Sequence, residues 1–285
     1  MEKLGVRPER TQTRPLKTYS STTDATAQTH YIDIPTDHFI HSLEIKCLES
    51  VTDVPTTLDD FVSEMRLIGD GSKYIKKMTG TMCKEVDAMN DEVAATGFYK
   101  LYFKDPRIGA SKPLPSWLFT SLQLEIDDIA PAASEKNYIY VTVTEQFFGG
   151  EDISGYRALV EKYSKFAKFG ANTGEQEYLH ERAYDVFGYL YLMSDNATPS
   201  ATIFDKLTLK GITKEGEYDL LNAISIPQLK EMNKREHKTV PGTGYFWAAF
   251  PPGLPSHQFT SLKSILNIPT AGTNAGIRVL ERYLL

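Results

Sequence analysis

The side chains best suited to chemistry in this sequence are its six histidines, His30, His38, His41, His180, His237 and His257. A metal centre on a β-scaffold needs several imidazoles or carboxylates converging from one face. Only His38 and His41 lie close together in sequence, and residues three apart on a strand point to opposite faces, so they do not converge. Surface or capping roles are therefore expected for the histidines. Acidic pairs occur at Asp59-Asp60, Asp127-Asp128 and Glu151-Asp152. Two carboxylates a few ångströms apart in a cleft would suit glycoside hydrolysis, and loop carboxylates suit Ca²⁺. Without an EF-hand pattern these pairs read as solvated loop residues. No nucleophile elbow, phosphate-binding glycine loop or Cys-x-x-Cys is present, and no spacing ties a Ser, a His and an Asp into a triad. The thiols of Cys47 and Cys83 sit in apolar runs and read as two buried, unpaired cysteines, as in a reducing compartment. Trp117 and Trp247 have apolar strand-like neighbours, which predicts packing in a core or interface rather than sugar stacking. Asn196-Ala-Thr198 fits the glycosylation pattern, which carries little weight without secretion.

The elements that would position these residues are written twice. LPSWLFTSL at Leu114–Leu122 is answered by LPSHQFTSL at Leu254–Leu262, with seven of nine residues identical. GFYKLYF at Gly97–Phe103 is answered by GYFWAAF at Gly244–Phe250, and Phe61–Gly69 by Phe204–Gly211. A weaker echo pairs Met89-Asn90 with Met232-Asn233. Blocks recurring in the same order mark an internal duplication. Within each copy, alternating apolar residues predict strands: Phe39–Leu48 in the first, with Val186–Met193 as its counterpart, then Phe61–Ile68, Lys73–Met78, Leu118–Ile126 and Asn137–Phe147. Asp70-Gly71 predicts a tight hairpin, replaced in the second copy by the longer turn Thr213–Gly216. A short helix is expected at Thr81–Met89, and its echo at Ile226–Met232 carries Pro227 at a tolerated early position.

With 285 residues, 41% hydrophobic content and 32 aromatic residues (16 Tyr, 14 Phe, 2 Trp), the chain can build two β-rich cores. A net charge of −6 argues against a dedicated nucleic-acid binder. No apolar run approaches the ~18–20 residues that cross a bilayer, and the first 30 residues lack a signal-peptide core, so a soluble chain is expected. The expected organisation is all-β: a flexible basic arm over residues 1–30 carrying Lys3, Arg7, Arg10, Arg14 and Lys17, a first eight-stranded jelly roll over 31–150, a connector helix and loop over 151–175, and a second eight-stranded jelly roll over 176–285. The connector is read from the apolar stripe Ile153, Tyr156, Leu159, Val160, Tyr163, Phe166 and Phe169, followed by Gly170 and Gly174. The helix inserted after the second hairpin favours a jelly roll over an immunoglobulin sandwich, which would show Cys–Trp–Cys spacing.

The segment LDDFVSEMRLIGDGSKYIKKMTGT at Leu58–Thr81, the Leu114–Trp117 block and the duplication together resemble the double jelly-roll major capsid proteins of icosahedral, membrane-containing bacteriophages of the corticovirus and tectivirus type. The resemblance covers residues 32–285 as a plan. It implies a structural protein rather than an enzyme, with no catalytic residue and no metal ligand to carry over. It further implies homotrimeric, pseudo-hexagonal capsomers tiling an icosahedral virion shell over an internal membrane. Its partners would be neighbouring capsomers, penton and membrane proteins, and the membrane surface through the N-terminal arm, with no specific nucleic acid. No cofactor is required, although structural Ca²⁺ at subunit contacts is an expectation of the resemblance. The alternative is a two-domain receptor- or carbohydrate-binding protein, spike- or lectin-like. An enzyme on a β-sandwich, such as a bicupin, is disfavoured by the scattered histidines.

Overall fold

The computed structural model describes residues 10–20, 27–49, 54–55, 58–90, 97–104, 112–130, 137–147, 158–182, 185–196 and 198–284. The chain divides into two compact units, one formed by residues 1–160 without 88–92, the other by 161–284 with 88–92.

The first unit contains β1 (Arg10–Ser20), β2 (Thr29–Asp33), β3 (Phe39–Glu49), β4 (Val62–Gly69), β5 (Lys73–Thr79), β6 (Phe98–Tyr102), β7 (Leu122–Asp128) and β8 (Asn137–Phe147). One sheet has the order β1-β8-β3-β6 and the other β2-β7-β4-β5. This is jelly-roll winding, in which the first strand lies beside the eighth and the second beside the seventh. Strict alternation builds the core between the sheets. β7 buries every second residue, including Leu122, Leu124 and Ile126, against Leu43, Ile45 and Cys47 of β3 and Ile139, Val141 and Val143 of β8, all at most 3% exposed. A one-turn helix α1 (Leu58–Phe61) precedes β4, and helix α2 (Gly80–Asn90) joins β5 to β6.

The second unit contains β9, interrupted into Leu159–Tyr163 (of which residues 159 and 160 cluster with the first unit) and Ala167–Gly170, then β10 (Gly174–Leu179), β11 (Asp185–Asp195), β12 (Lys206–Ile212), β13 (Glu217–Ser225), β14 (Tyr245–Pro255), β15 (Ser261–Ile268) and β16 (Ala275–Leu284). Its sheets run β9-β16-β11-β14 and β10-β15-β12-β13, the first unit's order repeated strand for strand. Helix α3 (Ile226–His237) joins β13 to β14, where α2 stands in the first copy. Both helices start the same way. Thr79 Oγ1 accepts from Met82 N in α2, and Ser225 caps α3 through a capping box with Gln228, each hydroxyl satisfying an N–H that has no partner inside the helix.

Four expectations are corrected here. The helix expected over Ile153–Phe169 is strand β9 in its described part, because a jelly roll needs a first strand beside its last: Ala167 and Lys168 register with Ile277 and Gly276 of β16. Leu159, Val160 and Glu161 are consecutive buried residues, so period-two alternation is hidden and the aromatic spacing imitates a helical stripe. The second unit accordingly begins before residue 176. The arm expected over residues 1–30 is sheet where described: β1 pairs with β8 from Arg10↔Phe147 to Ser20↔Tyr138, and Thr29–Asp33 is β2. Its polar composition reflects a strand paired on one edge only, with Pro15 at a register shift, a placement edge strands tolerate. Lys3, Arg7 and the remainder of residues 1–9 lie outside the described residues. Asp127-Asp128 ends strand β7 rather than occupying a loop. Finally, the Met-Asn echo is one helical turn out of step. Asn233 accepts from Trp247 N at 2.9 Å and donates to Trp247 O at 3.1 Å, whereas the backbone N–H of Lys100, the residue matching Trp247, is met by Asp87 Oδ1 at 3.1 Å. Asp87 and Asn233 are therefore the equivalent pair, each 2% exposed, while Met232 is 40% exposed and Met89 is buried.

Candidate functional site

The most closely matching block folds into the same device in both units. Ser116–Leu118 and Ser256–Gln258 each form one 3₁₀ turn closed by Phe119 N→Ser116 O at 3.1 Å and Phe259 N→Ser256 O at 3.2 Å. Both serines are fully buried; Ser116 N donates to His38 O at 3.1 Å and its Oγ to the same carbonyl. The phenylalanine that follows lies over a glycine on the hairpin. A Cβ on Gly69 would sit 2.3 Å from Phe119 Cδ1, and one on Gly211 2.3 Å from Phe259 Cε1. Glycine is required here by the close approach of the ring, not by backbone dihedrals. The hairpins themselves differ. Asp70 and Gly71 take φ of 50° and 71°, the paired left-handed geometry of a tight turn. Thr120 N donates to Asp70 Oδ1 at 2.7 Å, which with Lys73 nearby holds that carboxyl below its usual range. The second hairpin closes through Thr213 N→Gly216 O at 2.9 Å, and β13 carries two register shifts against β12.

Titratable residues cluster in two places that sequence spacing did not reveal. In the second unit, His180 Nε2 lies 2.7 Å from Ser264 Oγ and its Nδ1 3.4 Å from Glu281 Oε1. The spacing imitates a Ser–His–acid triad. Yet Ser264 is 0% exposed and Tyr191 Oη bonds it at 2.6 Å, so the nucleophile is sealed in the sandwich interior. His180 stacks on Tyr189 at 4.0 Å and meets Tyr178 edge-on at 4.9 Å. Burial lowers its pKa despite Glu281, pushes Tyr178 up to about 12 and raises Tyr189 and Tyr191 further. The cluster is an aromatic-walled polar core in which burial favours the neutral form of His180. On the other face of β16, Arg282 Nε reaches Glu161 Oε1 at 2.8 Å in a buried ion pair.

In the first unit, Arg66 on β4 bonds Glu125 at 2.8 Å, Asp127 at 2.9 Å and Glu64 at 3.0 Å. Burial opposes its charge, but Glu125 and Asp127 outweigh that and raise its pKa. Asp128 points to the opposite face and meets His30 Nε2 at 2.8 Å. Lys76 is fully buried, donating to Tyr102 O at 2.6 Å with its ammonium 5.1 Å from the Phe103 ring centre.

The remaining expected residues are dispersed. Asp59 lies 3.2 Å from Lys84, and Asp60 is exposed. Glu151-Asp152 lies outside the described residues. His38 bonds Asp37, His41 is half-buried on β3, His237 ends α3, and His257 lies 3.5 Å from Asp185. Cys47 and Cys83 are buried and not joined in a disulfide, with the Cys47 thiol pushed up to about 12 by burial. Trp247 is buried on β14. Trp117 departs from expectation: it is on the 3₁₀ turn and 38% exposed. Asn196 opens a turn with φ 49°. Among the described residues no three His, Cys, Asp or Glu side chains converge as a metal site would require, and no helix is long and apolar enough to cross a membrane.

A repeated core, buried polar residues turned inward, and one strand order used twice in a single chain define the double jelly-roll fold of viral major capsid proteins. The chain is similar to the MCP of STIV, Sulfolobus Turreted Icosahedral Virus, with a TM-score of 0.76, 15% identity and 97% of each chain covered. It is similar also to the major capsid protein P2 from Bacteriophage PM2, with a TM-score of 0.71, 11% identity and 97% and 98% coverage. A third likeness is to a chain of the PBCV-1 virus capsid, with a TM-score of 0.63, 10% identity and 99% and 95% coverage. No family model matches the sequence, and no curated protein matches it. At these identities the likeness establishes the fold.

Proposed function

We propose that this chain is the major capsid protein of a virus with an icosahedral shell, built as a homotrimer in which six similar sandwiches fill a pseudo-hexagonal position. The observation that carries the reading is the doubled jelly roll itself, with a helix inserted at the same step of both copies and nearly full-length correspondence to capsid proteins. What the copies share is packing and turn chemistry, the Gly–Phe contact and the capped helix, rather than a reactive group. The triad-like cluster seen among the described residues is sealed. The chain is thus a building block of the virion, with copies of itself as its principal partners and no catalytic step of its own. A bacteriophage host and a shell laid over an internal membrane belong to the same proposal, as does Ca²⁺ at subunit contacts.

The test is sedimentation equilibrium of the purified chain followed by negative-stain microscopy. Three copies of the 32.0 kDa chain in hexagon-outlined particles are expected. A chain that stays monomeric up to high concentration while binding immobilised glycans would replace this reading with the receptor-binding alternative.

A further inference from the structure

Trp117 and Leu118 are the two positions at which the matching turns LPSWLFTSL and LPSHQFTSL differ. In the first unit their flanks are fixed, with Ser116 buried and bonded to the backbone of His38 and Phe119 packed over Gly69. That leaves Trp117 38% exposed and Leu118 56% exposed on a short turn. The ring of Phe39 stands edge-on to Trp117 at 4.3 Å and supports it from behind. The turn is tied to the β4–β5 hairpin by Thr120 N→Asp70 Oδ1 at 2.7 Å and Asp70 N→Ser121 O at 2.9 Å. That hairpin adds Lys73 and Tyr74, the latter 44% exposed with the Lys77 ammonium 5.2 Å from its ring centre. One end of the first sandwich therefore presents tryptophan, leucine, tyrosine and lysine outward. The corresponding turn of the second unit presents His257 and Gln258, both exposed.

We propose that this end of the first jelly roll sits in the interfacial zone of a lipid bilayer, with Trp117 and Leu118 inserted among the headgroups and upper acyl chains. An indole suits that zone because its ring is apolar and its N–H can meet water or a headgroup, and a lysine can keep its charge in water while its stem lies on apolar surface. Area selects lipid over a protein partner. Two partly exposed side chains offer roughly 200 Å², well short of the ~800 Å² per partner of a stable protein interface. A bilayer needs no matching surface and accepts small apolar areas directly. The flanking charges, Asp37 and Asp70 against Lys73 and Lys77, carry no basic excess, and the chain's net charge is −6, so a zwitterionic surface is the one that fits. The proposal rests on the capsid reading only for the source of the lipid.

The experiment uses the full chain with phosphatidylcholine vesicles, with and without brominated acyl chains. Trp247 is only 3% exposed, so Trp117 is the emitter that can meet lipid. Vesicles should shift its emission to the blue, brominated chains should quench it, and the protein should co-sediment. Leu118→Gln should weaken partitioning roughly five- to tenfold, given the apolar area it removes. Trp117→His with Leu118→Gln should abolish co-sedimentation; the second unit holds those residues on the same turn, so the unfolding midpoint serves as the control for folding. Emission indifferent to vesicles, or equal sedimentation of wild type and double variant, overturns the proposal. So does a blue shift that follows protein concentration rather than lipid, which would mark a subunit contact. Trimers that ignore lipid overturn this inference and leave the capsid reading intact. A monomer that binds lipid through Trp117 supports this inference while counting against the capsid reading.

Discussion

Replacing Gly69 with alanine tests the device that both units share. A Cβ at this position would lie 2.3 and 2.5 Å from Phe119 Cδ1 and Cε1, inside the closest approach carbon atoms tolerate. Gly69 lies on β4, so the cost comes from packing alone. The ring must move, and at 8% exposure it has little room. Forcing one methyl into a packed core costs about 1–3 kcal/mol, so Gly69→Ala should destabilise the first unit by about 2 kcal/mol, a fall of several degrees in Tm for a domain of this size. Gly211→Ala meets the ring of Phe259 equally closely, but that ring is half-buried and can swing toward solvent, so the second unit should lose less. Urea unfolding followed by circular dichroism measures both. Phe119→Leu removes the clashing ring edge, so Gly69→Ala should cost less in that background, with a coupling of at least about 0.5 kcal/mol, as expected for residues in contact. A Gly69→Ala variant within 0.5 kcal/mol of wild type, or additivity with Phe119→Leu, would refute the argument that this contact fixes the hairpin against the turn.

Three further outcomes are expected. Asn233→Ala strips the buried backbone of Trp247 of both partners and should cost about 2–3 kcal/mol in urea unfolding; Asn233→Asp, which imitates Asp87 and keeps the acceptor, should cost less. Because burial depresses the His180 pKa below 6.5, the unfolded chain takes up the proton first. Stability should therefore fall as pH drops through 6.5 and level off below the folded-state value; His180→Gln should flatten that slope in denaturation series between pH 7.5 and 5, and an unchanged slope would assign it to other groups. Finally, with Cys47 and Cys83 both buried and outside any disulfide, a thiol reagent at pH 8 should find no reactive sulfur in the native chain and two after denaturation.

The duplication was legible because turn chemistry and close packing constrain residue types: Gly69 with Phe119, and Ser116 beneath its turn, recur as identities in the second copy. Alternating strands such as β7 and β15, buried on one face, were legible for the same reason. β9 was not, because consecutive residues are buried and the strand is interrupted, which removes the period of two. β1 was not, because an edge strand draws its hydrogen bonds from β8, more than a hundred residues away, and needs no apolar pattern of its own. The His180, Ser264 and Glu281 cluster was out of reach for a related reason. Its members lie on segments that only the winding of the second sandwich brings together, and nothing in local spacing marks them. The helix echo misled because two identical residues, Met and Asn, recur one turn away from the position that the backbone of the following strand requires.

The winding also sets a clock. β1 has its partner in β8, so the strand opened at Arg10 waits for a segment ending at Phe147. At ribosomal speeds of about 5–20 residues per second, that is a delay of roughly 7–30 s. The second unit repeats the wait, since β9 and β11 both lie beside β16. Each sandwich is thus withheld from closure until its eighth strand emerges, and its sheet edges stay open for that interval. The second sandwich can close only on chains translated through Ala275–Leu284, so a product truncated before that strand leaves β9 and β11 without their shared neighbour while the first sandwich is already complete.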